Sequence, residues 1–263
     1  MQDLKLTIIQ TDLTWRDPER NLQHFDALID TIAEPTDLIV LPEMFTTGFT
    51  MQPKMLAEPL KNTTFKWMMG KAAEKKCAVM GSYIVEDLRK YLNRLYIVFP
   101  NGKSFFYDKK HLFRMADEDK FFTPGKERMV VKLKGWKLNL LICYDLRFPV
   151  WCRNSYNAGE YEFDCQIFVA NWPEIRNYAW KTLLAARAIE NQSYVVGVNR
   201  IGFDGNGISH SGDSMVIDPW GLKISVTLPH QKSVETITLS ANKLDAFRKN
   251  VTFGRDWDKF ELK

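Results

Sequence analysis

At roughly 150 residues per domain, a chain of 263 residues allows about 1.8 domains, and one domain spanning 1–263 is the simplest reading. Hydrophobic side chains make up 45% and charged ones 26%, a globular composition with enough apolar surface for a large core, which excludes disordered and collagen-like chains. Thirty-six Lys and Arg against 32 Asp and Glu give a net charge of +4; the cations are scattered, so neither nucleic acid nor a membrane is the expected partner and a small molecule is.

The chain opens on a β-like run, Leu4 to Gln10, followed by a helix that Asp17 can cap and Pro18 can start, with Leu22, Phe25, Leu28, Ile29 and Ile32 on one face. Asp3, Lys5 and Asp12 interrupt what a secretory segment would need, and no run approaches about 18 apolar residues, so a cytoplasmic protein is expected. The run from Asp37 to Glu43 predicts a strand covered on both faces, stopping at Pro42. A helix from about Thr63 to Lys76 leads into the strands CAVMGSYIV, NRLYIVFP and KSFFYDKK, the last two joined by a tight turn at Asn101 and Gly102. VVKLKGWKLNLLIC predicts a second hairpin around Gly135, then an amphipathic helix from about Val150 to Ala158 and the strand Cys165 to Asn171. YAWKTLLAARAIENQ reads as a helix, SYVVGVNR as a strand and GFDGNG as an ordinary loop. The β-like segments SMVIDP, LKISVTL and SVETITL follow, then a helix near Asn242 to Asn250 and a polar tail. Strands interleaved with helices and hairpins predict an α/β fold with a mixed sheet or two sheets and helices outside.

Cys77, Cys143, Cys152 and Cys165 contain no C-x-x-C pair and the four histidines are dispersed, so no disulfide framework, metal site or phosphate loop is expected. Three strands, however, end in reactive side chains: Glu43 after LIVLP, Lys109 after SFFYD and Cys143 after LNLLI. Residues just beyond the carboxyl ends of strands in α/β sheets converge on one pocket. Singly, each has a plain structural explanation, a core thiol or a buried ion pair. Together, a soft nucleophile, a carboxylate able to take its proton and an ammonium able to stabilise an oxyanion supply acyl transfer through a thioester.

These segments carry a family resemblance. LIVLPEMFTTGF resembles the general-base segment of the nitrilase, or carbon-nitrogen hydrolase, superfamily, YDKKHLF its Lys motif and LLICYDLRFP its nucleophile motif, in the family's order. The resemblance implies that Glu43 is the base, Lys109 the oxyanion-stabilising cation and Cys143 the nucleophile, with Glu118, seven residues before Gly125, positioning substrate and Lys109. It extends through NWPEIRNYAW, AARAIENQSYVVGVNRIG and SGDSMVIDPWG. Together with RMADE, NWPEIRNYAW makes the chain most similar to bacterial omega-amidases, which release ammonia from the distal amide of short 2-oxo acid amides. The fold implied is a four-layer αββα sandwich that assembles as homodimers or larger oligomers and uses no cofactor.

On the omega-amidase reading the far end of the substrate carries a carboxylate, for which Arg176 is the first candidate partner, with Tyr144 and Trp172 as pocket walls. Arg147 is expected to hold the nucleophile segment by ion pairing, His111 to make structural hydrogen bonds, and Arg187, Glu190 and Asn191 to lie beneath the site. Asp108, where many relatives carry Arg, stands beside Lys109 and can alter its electrostatics. Two further readings fit the same motifs: another C-N hydrolase (a nitrilase, a carbamoylase or a different amidase), and a non-catalytic protein that keeps the fold.

Overall fold

A computed structural model describes residues 1–259 and 261; the end of the polar tail, 260 and 262–263, lies outside the described residues. The first strand, β1 (Leu4–Gln10), is followed by helix α1 (Pro18–Asp30), whose first turn is capped by Asp17 accepting from Arg20 N–H at 3.0 Å. Next come β2 (Leu38–Val40), α2 (Thr63–Lys75), β3 (Ala78–Asp87), β4 (Lys90–Val98) and β5 (Ser104–Asp108). These strands form one sheet in the order β1-β2-β3-β4-β5, parallel from β1 to β3 and antiparallel beyond; β13 (Ser233–Leu239) closes its other edge, pairing Leu4 with Leu239.

The second sheet repeats this plan. Strands β6 (Val130–Leu133), β7 (Trp136–Ile142), β8 (Cys165–Ala170) and β9 (Tyr194–Asn199) lie side by side, with β7, β8 and β9 parallel. After a small hairpin of β10 (Ile201–Phe203) and β11 (Ser209–Ser211), β12 (Met215–Ile217) adds antiparallel to β9. Helix α3 (Asn177–Asn191) connects β8 to β9, and α4 (Ala241–Asn250) ends the regular structure.

Strand alternation builds the layers. Along β2, Leu38 and Val40 join a core shared with Leu138, Leu140 and Ile142 of the other sheet, whereas Ile39 and Leu41 pack with Phe25 and Ile29 of α1 and Met68 of α2. Helix α3 covers the second sheet through Trp180, Leu184 and Ala188. The order helix, sheet, sheet, helix is the expected αββα sandwich. At Gly197 on β9, helix α3 leaves no room for a side chain: an added Cβ would lie 2.5 Å from Leu184 and 2.8 Å from Trp180. Gly197→Ala overpacks that contact and is expected to cost about 1–3 kcal/mol, read from denaturant midpoints.

Two expected elements are absent. Residues 150–158 form turns and a short strand, not a helix, because Asn154 spends its hydrogen bonds on distant groups: its N–H reaches Asn191 Oδ1 at 2.8 Å and its side-chain amide Phe163 O at 3.0 Å. LKISVTL makes only an isolated bridge between Ile217 and Lys223. There the backbone N–H groups of Val226 and Thr227 each donate at 2.8 Å to the Glu235 carboxylate, and side-chain acceptors replace a strand ladder. Among the described residues no helix is long and apolar enough to cross a membrane.

Candidate active site

The parallel strands of both sheets end at one place, and the reactive residues stand there. Glu43 follows β2 by three residues, Lys109 directly follows β5, and Cys143 directly follows β7. Glu43 and Glu118 are 0% exposed and Lys109 1%, so three charges lie out of water and need one another. Lys109 Nζ donates to Glu43 Oε1 at 2.9 Å and to Glu118 Oε2 at 2.8 Å. Burial alone pulls the Lys109 amine down, but the charges of Glu118 and Glu43 override it and hold its pKa above the ordinary value. Burial pushes the Glu118 carboxyl up, against the pull of Lys109.

Cys143 faces this cluster from a left-handed backbone conformation (φ 44°) that starts a single 3-10 turn, Cys143–Arg147. Such φ values are uncommon outside Gly and frequent at functional positions. Burial raises the thiol pKa, the Glu43 charge raises it further, and Lys109 opposes both. Burial and the Glu43 charge thus oppose a free thiolate, and a base that takes the proton as sulfur attacks removes that obstacle.

Three residues around the cluster escaped sequence reasoning. Asn93 donates to Glu43 Oε1 at 2.8 Å, and the Asn171 backbone N–H donates to Glu43 Oε2 at 2.8 Å, so both oxygens of the carboxylate are aimed. Asn171, like Glu43, ends an apolar strand run, and that shared signal could have found it. Asp145 is a third: buried behind the nucleophile, it accepts from Ile142 N–H at 3.0 Å and Tyr107 Oη at 2.8 Å. His111 has the expected structural role, its Nδ1 2.8 Å from Asp145 Oδ1.

Cys143 and Lys109 open into a cavity of about 210 Å³ that Tyr144, Trp172 and Arg176 also line, so all three proposed pocket residues meet there. Trp172 is fixed by its Nε1 donating to Arg176 O at 2.8 Å, and the Tyr144 ring packs edge-on against Phe113 at 5.0 Å. Arg147 departs from expectation. Among the described residues it forms no salt bridge; its guanidinium lies 4.8 Å from the Trp172 ring centre and lines the cavity. The nucleophile turn is held instead by Arg187, which donates to Leu146 O at 2.7 Å. Arg176 also forms no salt bridge among the described residues, resting 5.2 Å over Phe113; burial and the neighbouring Arg147 charge lower its pKa. Arg16 and Asp204 line the same cavity, so three guanidinium groups and one carboxylate border it. Asp108 is turned away from this chemistry, paired in two hydrogen bonds of 2.6 and 2.9 Å with Arg94.

Relatives carry the same architecture. The chain is 42% identical to omega-amidase YafV of Escherichia coli over 262 residues, covering 100% of both, and 34% identical to the 2-oxoglutaramate amidase of Bacillus subtilis over 220 residues, 82% of this chain and 83% of that protein. The crystal structure of XC1258 from Xanthomonas campestris, described as a CN-hydrolase superfamily protein with an arsenic adduct in its active site, superposes with a TM-score of 0.97 at 42% identity over the whole of both chains. The carbon-nitrogen hydrolase family pattern matches residues 5–249, and with that coverage the chain belongs to the carbon-nitrogen hydrolase family.

Proposed function

We propose that this carbon-nitrogen hydrolase acts on amides as an omega-amidase, converting short 2-oxo dicarboxylate monoamides such as 2-oxoglutaramate and 2-oxosuccinamate to the 2-oxo acid and ammonia. The observation that carries the reading is one cavity lined by Cys143, Lys109, Arg147 and Arg176, with Glu43 and Glu118 buried behind it on Lys109 and the two guanidinium groups outside any salt bridge among the described residues. The relatives named omega-amidase and 2-oxoglutaramate amidase support the substrate class.

In the reaction, Glu43 takes the Cys143 proton as sulfur attacks the amide carbon, and the oxyanion is received by Lys109 Nζ and the Tyr144 backbone N–H. The proton on Glu43 passes to the amide nitrogen, the C–N bond breaks and ammonia leaves, giving a thioester. Water, deprotonated by Glu43, then attacks the thioester; the acid departs and the proton returns to sulfur. Glu118, bonded to Lys109 at 2.8 and 3.1 Å, keeps the ammonium aimed and charged. The enzyme works in the cytoplasm as a homodimer or larger homo-oligomer.

The test is ammonia release from 2-oxoglutaramate, succinamate and a simple nitrile. Fast release from the first, slower from the second and little from the third is expected; a nitrile preference would point to another C-N hydrolase. Arg176→Ala should raise KM for 2-oxoglutaramate about 10- to 100-fold, the worth of a charge-assisted hydrogen-bonded pair, while leaving a simple aliphatic amide nearly unchanged. Equal effects on both substrates would remove Arg176 from the carboxylate site.

A further inference from the structure

Part of the cavity wall comes from residues that take no part in this chemistry. Trp15, in the segment between β1 and α1, lines the cavity together with Asp204, Asn206 and Ile208 from the tip of the β10–β11 hairpin. The indole is held at both rings. An added Cβ on Gly48 would lie 3.0 Å from Cε3 of the six-membered ring, and one on Gly205 would lie 2.1 Å from Nε1 and 2.2 Å from Cδ1 of the five-membered ring. Carbon atoms at rest are about 3.5–4.0 Å apart, so only a residue without a Cβ lets the hairpin tip settle on the ring.

The tip itself is braced. The Asp204 carboxylate accepts from Asn206 N–H at 2.8 Å and Ile208 N–H at 3.0 Å. At its base the buried Arg200 guanidinium donates to Ile201 O at 2.9 Å and Phe203 O at 3.0 Å and pairs with Asp12, which lies three residues before Trp15. The wall is therefore two braced segments in contact. The cavity, at about 210 Å³, is below the roughly 300–1,000 Å³ of pockets that take drug-sized ligands.

We propose that the seating of Gly205 on Trp15 fixes the length of the cavity and restricts the enzyme to short-chain amides. The inference rests on the amidase reading above. Trp15 and the hairpin tip border the same cavity as Cys143, so a longer substrate held there meets this wall, and one methylene in a fitted pocket changes kcat/KM by about 10- to 200-fold. Trp15→Ala removes the wall, and Gly205→Ala lifts the tip from the ring.

The experiment measures kcat/KM for succinamate, glutaramate and adipamate with the wild-type protein, Trp15→Ala, Trp15→Phe and Gly205→Ala. The adipamate-to-succinamate ratio should rise about tenfold or more in Trp15→Ala and Gly205→Ala, and less in Trp15→Phe. Equal losses on all three substrates, with the ratio unchanged in both Ala variants, would mean a merely structural contact and overturn the proposal. If the wild-type protein cleaves none of the three, the wall is tested through alkylation of Cys143 by iodoacetamide and by its bulkier N-phenyl derivative, and the amidase reading has failed as well only if 2-oxoglutaramate is also left intact. A ratio of bulky to small reagent about tenfold higher in the two Ala variants sustains the wall, and an unchanged ratio removes it.

Discussion

Cys143→Ala is expected to lower ammonia release by about 10⁶-fold, the scale on which deletion of a covalent nucleophile acts in other hydrolases. The reasoning begins with the backbone. A positive φ of 44° at the end of β7 turns the Cys143 side chain into the cavity beside Glu43 and Lys109, so no other thiol can substitute: Cys77, Cys152 and Cys165 are buried in the core, where burial holds their pKa above the ordinary range. Cys143→Ser should fall nearly as far, because the Glu43 carboxylate would have to deprotonate an alcohol. Mass spectrometry of the wild-type protein mixed rapidly with 2-oxoglutaramate should find an acyl adduct on the Cys143 peptide, and the Ala variant should lack it while unfolding within about 1 kcal/mol of wild type. An Ala variant that kept even one per cent of the activity would end the thioester proposal.

Lys109→Ala is expected to damage both rate and stability. Removing one oxyanion donor costs about 10²- to 10³-fold in kcat, and Lys109 additionally orients Glu43 through the 2.9 Å hydrogen bond, so the loss should reach the upper end of that range or beyond. The same change leaves Glu43 and Glu118, both 0% exposed, without their cation. Breaking a buried pair from one side costs roughly 3–5 kcal/mol, on the order of 10 °C in Tm. The pH dependence has a definite sign. Burial already holds the Glu118 pKa above the ordinary carboxyl value, and without Lys109 the facing Glu43 charge drives it higher. A carboxyl raised on folding adds stability below its unfolded pKa, about 4.3, and loses it as pH climbs through the folded value. The Tm deficit of Lys109→Ala against wild type should therefore widen from acid to neutral pH, which scanning calorimetry can follow. A deficit that shrinks with rising pH would mean the carboxylates are not paired through Lys109.

Local rules carried the reading a long way, for identifiable reasons. β1 was legible because Leu4 to Gln10 is an uninterrupted β-like run, and α1 because Asp17, Pro18 and the spacing of Phe25, Leu28 and Ile29 follow from the geometry of one helix. Glu43, Lys109 and Cys143 stood out because a reactive side chain at the end of an apolar strand is a local anomaly, and their motifs lie in the order that resembles one family. Segment 150–158 was misread as a helix because the partners of Asn154, at Phe163 and Asn191, are far along the chain and leave no trace in its own periodicity. LKISVTL failed likewise through Glu235.

Strands and helices with local patterns, the sandwich through its motifs and the identity of the reactive groups were all legible along the chain. What those groups touch emerged with the packing of the two sheets: Asn93 and Asn171 aim Glu43, Arg94 takes up Asp108, Arg147 faces the cavity, and the GFDGNG turn becomes a wall against Trp15. The division has one physical cause. Hydrophobic periodicity and backbone propensity act between near neighbours along the chain, whereas hydrogen bonding and charge pairing in a buried site join strand ends from both sheets, and their partners exist only once the two sheets have packed.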